Sequence, residues 1–298
     1  MKYTFKQFQA QFPDDAACLL SVMNVQYGGT KITCPGCGVA EAQFHAMTTR
    51  RAFACQECGH HIYPCADTIF HKSRTPLTNW FFAMYLMTST RHGVAAKELQ
   101  RQLGCTYKTA WRMAHELRKL MAATNANRGQ GDKLVGHVEI DETIIGGRNT
   151  GHGHKAMMDN KSVVFGMLQR DGDIIAGVVP NRQQYTLEGP IVRNIAKGAK
   201  ITTDDHGAYR RLGRIGYEHG VVNHSADEWV NGEHHTNSIE GHWSQLKRSI
   251  KGTHIHVSAK HLWKYICEFS YRRNTRNDPR AMFDLLVIGL SLPRLAEP

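Results

Sequence analysis

The sequence predicts an α/β catalytic domain with the element order βββαβαβα, preceded by a cysteine-rich ribbon and a helical region. Three observations predict it. Strand-like and helix-like runs alternate in that order beyond residue 134. Three carboxylates, Asp141, Asp204 and Glu240, fall on two of those strands and on the last helix of the core. Two CxxC pairs, Cys34/Cys37 and Cys55/Cys58, stand ahead of the domain.

Residues 1–75 read as a helical lead-in followed by the ribbon. Phe5, Phe8 and Phe12 recur at helical spacing in the lead-in. The ribbon runs from about 32 to 68, with seventeen residues between the two cysteine pairs. Each pair forms a knuckle that offers two thiolates to one ion. Two knuckles complete a tetrahedral Zn²⁺ site with no open position, so the expected role is structural. Gly38 and Gly59 suit the tight turn after each pair. Cys65, His60 and His61 lie near enough in sequence to replace a ligand. Cys18, Cys105 and Cys267 sit in apolar contexts and read as core thiols.

Residues 76–124 carry three helical patterns, PLTNWFFAMYLMTST, VAAKELQRQLG and TYKTAWRMAHELRKLM. Residues 94–121 read as a helix-turn-helix with Gly104 at the turn and Thr106 as cap of the second helix. Tyr107, Lys108, Thr109 and Arg112 would then face DNA. An ordinary helical hairpin with a solvated basic face is the alternative. The polar, glycine-containing stretch 125–133 reads as a linker.

Residues 134–275 open with three strand-like runs, HVEIDETIIG, SVVFGMLQR and IIAGVVP. The last two are joined by Asp171-Gly172, a hairpin signal. A helical run TLEGPIVRNIAKG and the short strand KITT follow. A helix near 209–212, a strand near 218–223 and helices near 237–250 and 258–273 complete the pattern. This is the ribonuclease-H-like order. Residues 276–298 read as a C-terminal tail.

Sixty-two residues separate Asp141 from Asp204, and thirty-five separate Asp204 from Glu240. Two strand-borne Asp and one helix-borne Glu suit a two-metal phosphoryl-transfer site. Hard Mg²⁺ (or Mn²⁺) takes carboxylate oxygens and keeps positions for water or phosphate. Two ions about 3.5–4 Å apart can hold the attacking and leaving oxygens of an in-line displacement. Glu139, Glu142 and Asp205 compete for the role. Strand alternation puts Glu139 on the face of Asp141, two residues deeper, and turns Glu142 away. Asn237, Glu240, Trp243, Ser244 and Lys247 share one helix face. Lys247 lies two turns, roughly 10 Å, from Glu240, which suits an ammonium on nearby phosphate. Trp243 reads as core or as a base-stacking group. His152, His154, His206, His234 and His235 read as solvated or phosphate-facing.

The 298 residues are 41% hydrophobic, enough for packed cores, and carry a net charge of +11. That balance points to a polyanion, with nucleic acid first. No apolar stretch reaches the ~18–20 residues of a membrane span. The start, MKYTFKQFQAQFPDD, has no signal-peptide core. A reducing, cytoplasmic, nucleoid-associated setting is expected, in which cysteines bind metal rather than pair.

The quoted motifs carry a resemblance as well. CPGCG…CQECG, DTIFHKSRTPLTNWFFAMY, GVAAKELQRQLGCTYKTAW, VEIDETIIGG, TTDDHGAY and HTNSIEGHWSQLKRSIKGTHIHVSAKHLWKYICEFSYRRN span nearly the whole chain. Together they resemble the bacterial insertion-sequence DDE transposases with an N-terminal zinc ribbon, the ISXO-like group. The resemblance implies a catalytic triad at Asp141, Asp204 and Glu240, with a basic partner at Lys247. It implies binding of double-stranded DNA at terminal inverted repeats, cleavage of the ends, and joining of the 3′-hydroxyl to target DNA by a homo-oligomer. A metal-dependent nuclease on the same fold and a non-catalytic zinc-ribbon regulator are the alternatives.

Overall fold

The structure, a computed structural model, describes residues 3–128, 132–146, 161–223 and 230–295. His152 and His154, with part of the 125–133 linker, lie outside the described residues. Two compact units divide the chain, Met1–Thr124 with Thr275–Pro298, and Asn125–Asn274.

The first unit opens with helices α1 (Phe5–Gln11) and α2 (Asp15–Tyr27). Thr4 caps α1 through a capping box with Gln7, and Asp14 caps α2. Strands β1 (Lys31–Ile32), β2 (Ala42–Ala46), β3 (Phe53–Cys55) and β4 (His61–Ile62) form an antiparallel ribbon in that order. Three helices follow, α3 (Leu77–Ser89), α4 (Ala96–Leu103) and α5 (Tyr107–Arg128).

Asp15, in the first turn of α2, accepts from the backbone N–H of Leu77 at 3.0 Å and of Thr78 at 2.8 Å, so it caps α3 across the unit. Of the lead-in phenylalanines, Phe8 and Phe12 are buried against α3, and Phe5 stays exposed. Phe8 stacks on Tyr85 with ring centroids 4.9 Å apart, and Phe12 meets Phe81 at 4.7 Å. The stretch 276–298, read as a tail, carries helix α9 (Pro279–Ile288), and its Phe283 packs 5.7 Å from Phe12. Asp278 and Pro279 start that helix in the usual N-cap and N1 positions.

In the second unit, β5 (His137–Gly146), β6 (Lys161–Gln169), β7 (Ile174–Val179), β8 (Lys200–Asp204) and β9 (Glu218–Val222) form one sheet in the order β7-β6-β5-β8-β9. β5, β6 and β7 are antiparallel, and β8 and β9 run parallel to β5. β6 turns into β7 at Asp171-Gly172, with Asp171 at φ 56° and Gly172 N–H donating to the Gln169 carbonyl. Helix α6 (Gln184–Asn194) links β7 to β8, and helices α7 (Asn237–Ser249) and α8 (Ala259–Asn274) follow β9.

The sheet is buried on both faces. Val138, Ile140, Phe165 and Met167 meet Leu187 and Ile191 of α6 on one side. Val164, Leu168 and Ile174 meet Ile239, Trp243, Leu246 and Ile266 on the other. The expected helix near 209–212 is instead two 3₁₀ turns, Gly207–Tyr209 and Gly213–Ile215. Glycines at 207, 213 and 216 break up any longer helix there.

Candidate active site

β5 and β8 place the first two carboxylates. Their parallel ladder ends at the pair Glu139 and Thr202. Asp141 and Asp204 each lie two residues further along, so they leave the ladder side by side and on the same face. Neighbouring strands sit about 4.8 Å apart, which sets the reach between them.

Asp141 is held by the helix packed on its own face of the sheet. Trp243 of α7 donates its indole N–H to Asp141 Oδ2 at 3.0 Å. The indole lies against Gly166, the cross-strand partner of Asp141, where an added Cβ would come within 2.6 Å of the ring. Trp243 is only 3% exposed, so its two readings merge: it is core, and its polar edge aims a carboxylate.

Glu240 enters in the first turn of α7, and Thr236 Oγ1 donates to its Oε1 at 2.6 Å. The start of α7 is fixed by a residue that sequence reasoning ranked only as a competitor. Glu139 is fully buried, and its Oε2 accepts from the backbone N–H of Ser238 at 2.9 Å and Ile239 at 3.0 Å. A carboxylate on the open N–H groups of a helix start is favourable both as a cap and toward the helix dipole. Glu139 Oε1 accepts from Arg170 Nε at 2.9 Å, with His235 Nδ1 3.3 Å away. The same guanidinium donates to the carbonyls of Glu233 at 2.7 Å and His235 at 3.1 Å. Arg170 therefore clamps the segment that leads into α7 onto the central strand. Nothing local in the sequence marks Arg170, because its partners lie 31 residues before and over 60 residues after it.

A polar layer extends below the acids. Thr202 Oγ1 is hydrogen-bonded to His137 at 2.7 Å and to His234 at 2.8 Å. Burial, then the charges of Arg170 and His234, push His137 down to about 4, so it stays neutral. His234 is thus hydrogen-bonded within this layer, and His235 lies against Glu139.

Glu142 faces the other side of β5, as alternation requires, but it is not a surface group. Its side chain is 4% exposed, accepts from the Tyr209 hydroxyl and lies 4.0 Å from His206. Burial and the charge of Asp204 push its carboxyl up to about 7, against Tyr209 and Arg182. Burial, then Glu142, Asp204 and Glu240, push Asp141 up to about 7 as well. The acids are near enough to oppose one another's ionisation. Among the described residues, only the four cysteines form a cluster of three or more donors all within 4.8 Å of one another. Asp141, Asp204 and Glu240 do not all lie within that distance of one another. A hard dication suits a set of carboxylate donors, and its charge would oppose both the burial and the neighbouring acids that raise Asp141.

Lys247 lies exposed on the last turn of α7, two turns beyond Glu240.

The ribbon brings Cys34, Cys37, Cys55 and Cys58 together with all four sulfurs within 4.8 Å. Cys34 Sγ lies 3.6 Å from Cys58 Sγ. A tetrahedron of ~2.3 Å Zn–S bonds has edges of about 3.8 Å, so the set fits a zinc ion. The two knuckles repeat each other: Gly38 N–H donates to the Cys34 carbonyl at 2.9 Å and Gly59 N–H to that of Cys55 at 3.0 Å. Gly38 and Gly59 take φ of 73° and 72°, which a side chain would strain. Cys65, His60 and His61 stay outside the cluster. Cys18 is buried, whereas Cys105 and Cys267 are half-buried.

Gly104 joins α4 to α5, and Thr106 Oγ1 accepts from Thr109 N–H at 3.2 Å as the expected cap. Lys108 and Arg112 are exposed, and Thr109 is half-buried with its hydroxyl 3.0 Å from that of Thr106. Arg112 also has local partners, Ser73 Oγ at 3.3 Å and the Trp80 ring at 5.7 Å. No helix among the described residues is long and apolar enough to cross a membrane.

Residues 133–274 match the ISXO2-like transposase domain, and residues 13–61 match the transposase zinc-ribbon domain. An uncharacterized protein in transposable element ISH50 of Halobacterium salinarum is 25% identical over 89% of this chain and 92% of its own length. Two solved structures are more distant. A pre-cleavage Mos1 transpososome is 10% identical over 71% of this chain and 78% of that one, with a TM-score of 0.28. The Mos1 strand transfer complex is 10% identical over 70% and 77%, with a TM-score of 0.24. Both scores are too low to place the fold, which rests on the sheet order and the two matched domains. With both domains in order on one chain, around a ribonuclease-H-like sheet and a four-cysteine ribbon, the protein belongs to the ISXO2-like DDE transposases that carry an N-terminal zinc ribbon.

Proposed function

We propose that this transposase cuts the ends of its own element and joins them to target DNA at Asp141, Asp204 and Glu240. One observation carries the reading: two strand-borne acids leave a parallel ladder side by side, beside a Glu on a helix start that is clamped to the same strand. The three carboxylates would hold Mg²⁺ or Mn²⁺, which when bound lowers the pKa of the attacking hydroxyl and neutralises charge on the phosphate.

The rest falls to the chain's own residues. Trp243 fixes the angle of the Asp141 carboxylate. Glu139 and Arg170 set the position of Glu240 by fixing the start of α7. Lys247 would neutralise a flanking phosphate as a point charge. In the first step a water oxygen bonds to the scissile phosphorus, and the departing 3′ oxygen leaves as a hydroxyl. In the second, that hydroxyl bonds to a target phosphorus and displaces the target's own 3′ oxygen. Positioning and charge neutralisation carry both steps, with no covalent protein–DNA intermediate.

Recognition of the inverted repeats is assigned to the zinc ribbon and to Lys108, Thr109 and Arg112 of the helix-turn-helix. Two ends must be joined in one event, which calls for a homo-oligomer on DNA.

The test is end cleavage and joining by single Ala variants. Asp141→Ala, Asp204→Ala and Glu240→Ala should each abolish both steps and keep end binding. Wild-type joining by Glu240→Ala would sink the triad. Cutting without joining by the intact protein would favour a nuclease, and binding without cutting a regulator.

A further inference from the structure

Helix α7 does not end on a conventional cap. It runs on through a π-helical turn, Ile250–His254, and then reverses at Ile255. Ile255 has φ 65° and ψ −53°, and His256 N–H donates to the His254 carbonyl at 2.7 Å. That is a γ-turn of the rare, strained hand. The other non-glycine residues at positive φ among those described are Glu41, Asp67, Lys72 and Asp171, none of them β-branched. A β-branched residue in this region is a true outlier. Such strain persists where the surroundings impose it, and it gathers at functional sites.

Here the surroundings do impose it. Ile250 and Val257, on either side of the turn, pack against the core under α7 and α8. The His254 ring meets Tyr265 edge-on at 4.8 Å. Both feet of the loop are anchored, and Ile255 is lifted out between them, 83% exposed. Burial within this unit therefore does not compensate the strain. The approach is strongly basic. Residues 241–267 contain Lys247, Arg248, Lys251, Lys260 and Lys264 and no Asp or Glu. Lys247, Arg248, Lys251, His256 and Lys260 are exposed. An exposed apolar tip on a segment of exposed cations matches duplex DNA, with a phosphate backbone outside and an apolar base stack inside.

We propose that Ile255 is a wedge that enters the base stack of the end duplex and unstacks one step. The inference rests on the reading of Asp141, Asp204 and Glu240 as a DNA-cutting site. His254 lies fourteen residues beyond Glu240, roughly 21 Å along a helix. At about 3.4 Å per base pair, the opened step lies around six base pairs from the cut phosphate.

The test uses the full chain and a duplex of the inverted repeat that flanks its coding sequence. 2-Aminopurine, whose fluorescence rises on unstacking, is placed at successive positions from the cleavage point. Wild type should give a several-fold rise at one position near the sixth. Ile255→Gly suits the positive φ, so it should melt no lower than wild type. It should nevertheless lose the rise and cut about ten-fold more slowly, the equivalent of about 1.4 kcal/mol. Ile255→Met, an apolar replacement, should keep both. A full fluorescence rise with Ile255→Gly overturns the wedge. So does wild-type binding and cutting with no rise at any position, which leaves the transposase reading intact. Loss of self-association in Ile255→Gly with unstacking unchanged also overturns it, in favour of a second copy as occupant. Wild-type protein that neither binds nor cuts the duplex overturns the wedge and the reading beneath it together.

Discussion

At the scale of single residues, Asp141 depends on what holds it as much as on its own charge. Trp243→Phe keeps the ring on Gly166 and removes the indole N–H that aims the carboxylate. Loss of such an outer partner typically costs roughly ten- to hundred-fold in metal affinity. Calorimetric titration with Mn²⁺ should show that drop with little change in melting temperature; unchanged affinity would reduce Trp243 to packing. The raised acids make a second expectation. Asp141 and Glu142 both stand at about 7 in the folded chain, against about 4 in an unfolded one. A raised carboxyl favours its protonated form in the fold. Its stabilising contribution is therefore full below about 4 and lost as pH climbs to about 7. The metal-free protein should lose on the order of a few kcal/mol across that window. Mg²⁺ at pH 8 should restore it, and Asp141→Asn should remove the share that Asp141 contributes and leave that of Glu142. Melting curves that rise from pH 5 to pH 8 without metal would contradict the assignment of charge.

At the scale of elements, the position of α7 is set by Glu139 and Arg170, and this is where the sequence said least. The three acids were legible because each sits in a motif whose element type is itself legible: an apolar β-branched run, a short strand after a glycine turn, and an amphipathic helix. The cysteines were legible from spacing alone. Glu139 was visible only as an acid two residues from Asp141, since its helix partners lie 99 and 100 residues away. Glu142 read as turned away because alternation gives the face but not the depth. The burial comes from Tyr209, 67 residues on. Trp243 could not be divided between core and site, because one ring does both. Glu139→Ala should leave half-buried Arg170 without its carboxylate partner and two helix N–H groups open. Breaking a buried pair this way costs roughly 3–5 kcal/mol. Thermal unfolding should detect it, and a loss under 1 kcal/mol would show that α7 is held by its apolar face alone. In the ribbon, chelation should unfold the segment around Cys34–Cys58, because structural zinc supplies folding energy. Purified protein should contain about one zinc per chain, and its absence by elemental analysis would reject the site.

At the scale of the whole molecule, a net charge of +11 makes DNA affinity steeply dependent on salt, through counterion release. Lys108→Ala and Arg112→Ala should weaken binding to the inverted repeat and shallow that slope, while Lys247→Ala should lower joining with only a modest loss of binding. Equal indifference of all three would leave their charges as a solvated surface. The central claim is that Asp141, Asp204 and Glu240 coordinate the ions that cut and join DNA. Replacing each in turn by Cys tests it most directly, because a thiolate binds hard Mg²⁺ poorly and softer Mn²⁺ better. The measurement is end cleavage and joining by the three Cys variants in Mg²⁺ and in Mn²⁺. Each should be inactive in Mg²⁺ and regain part of its activity in Mn²⁺. Full activity in Mg²⁺ for any of them would remove that residue from the metal site.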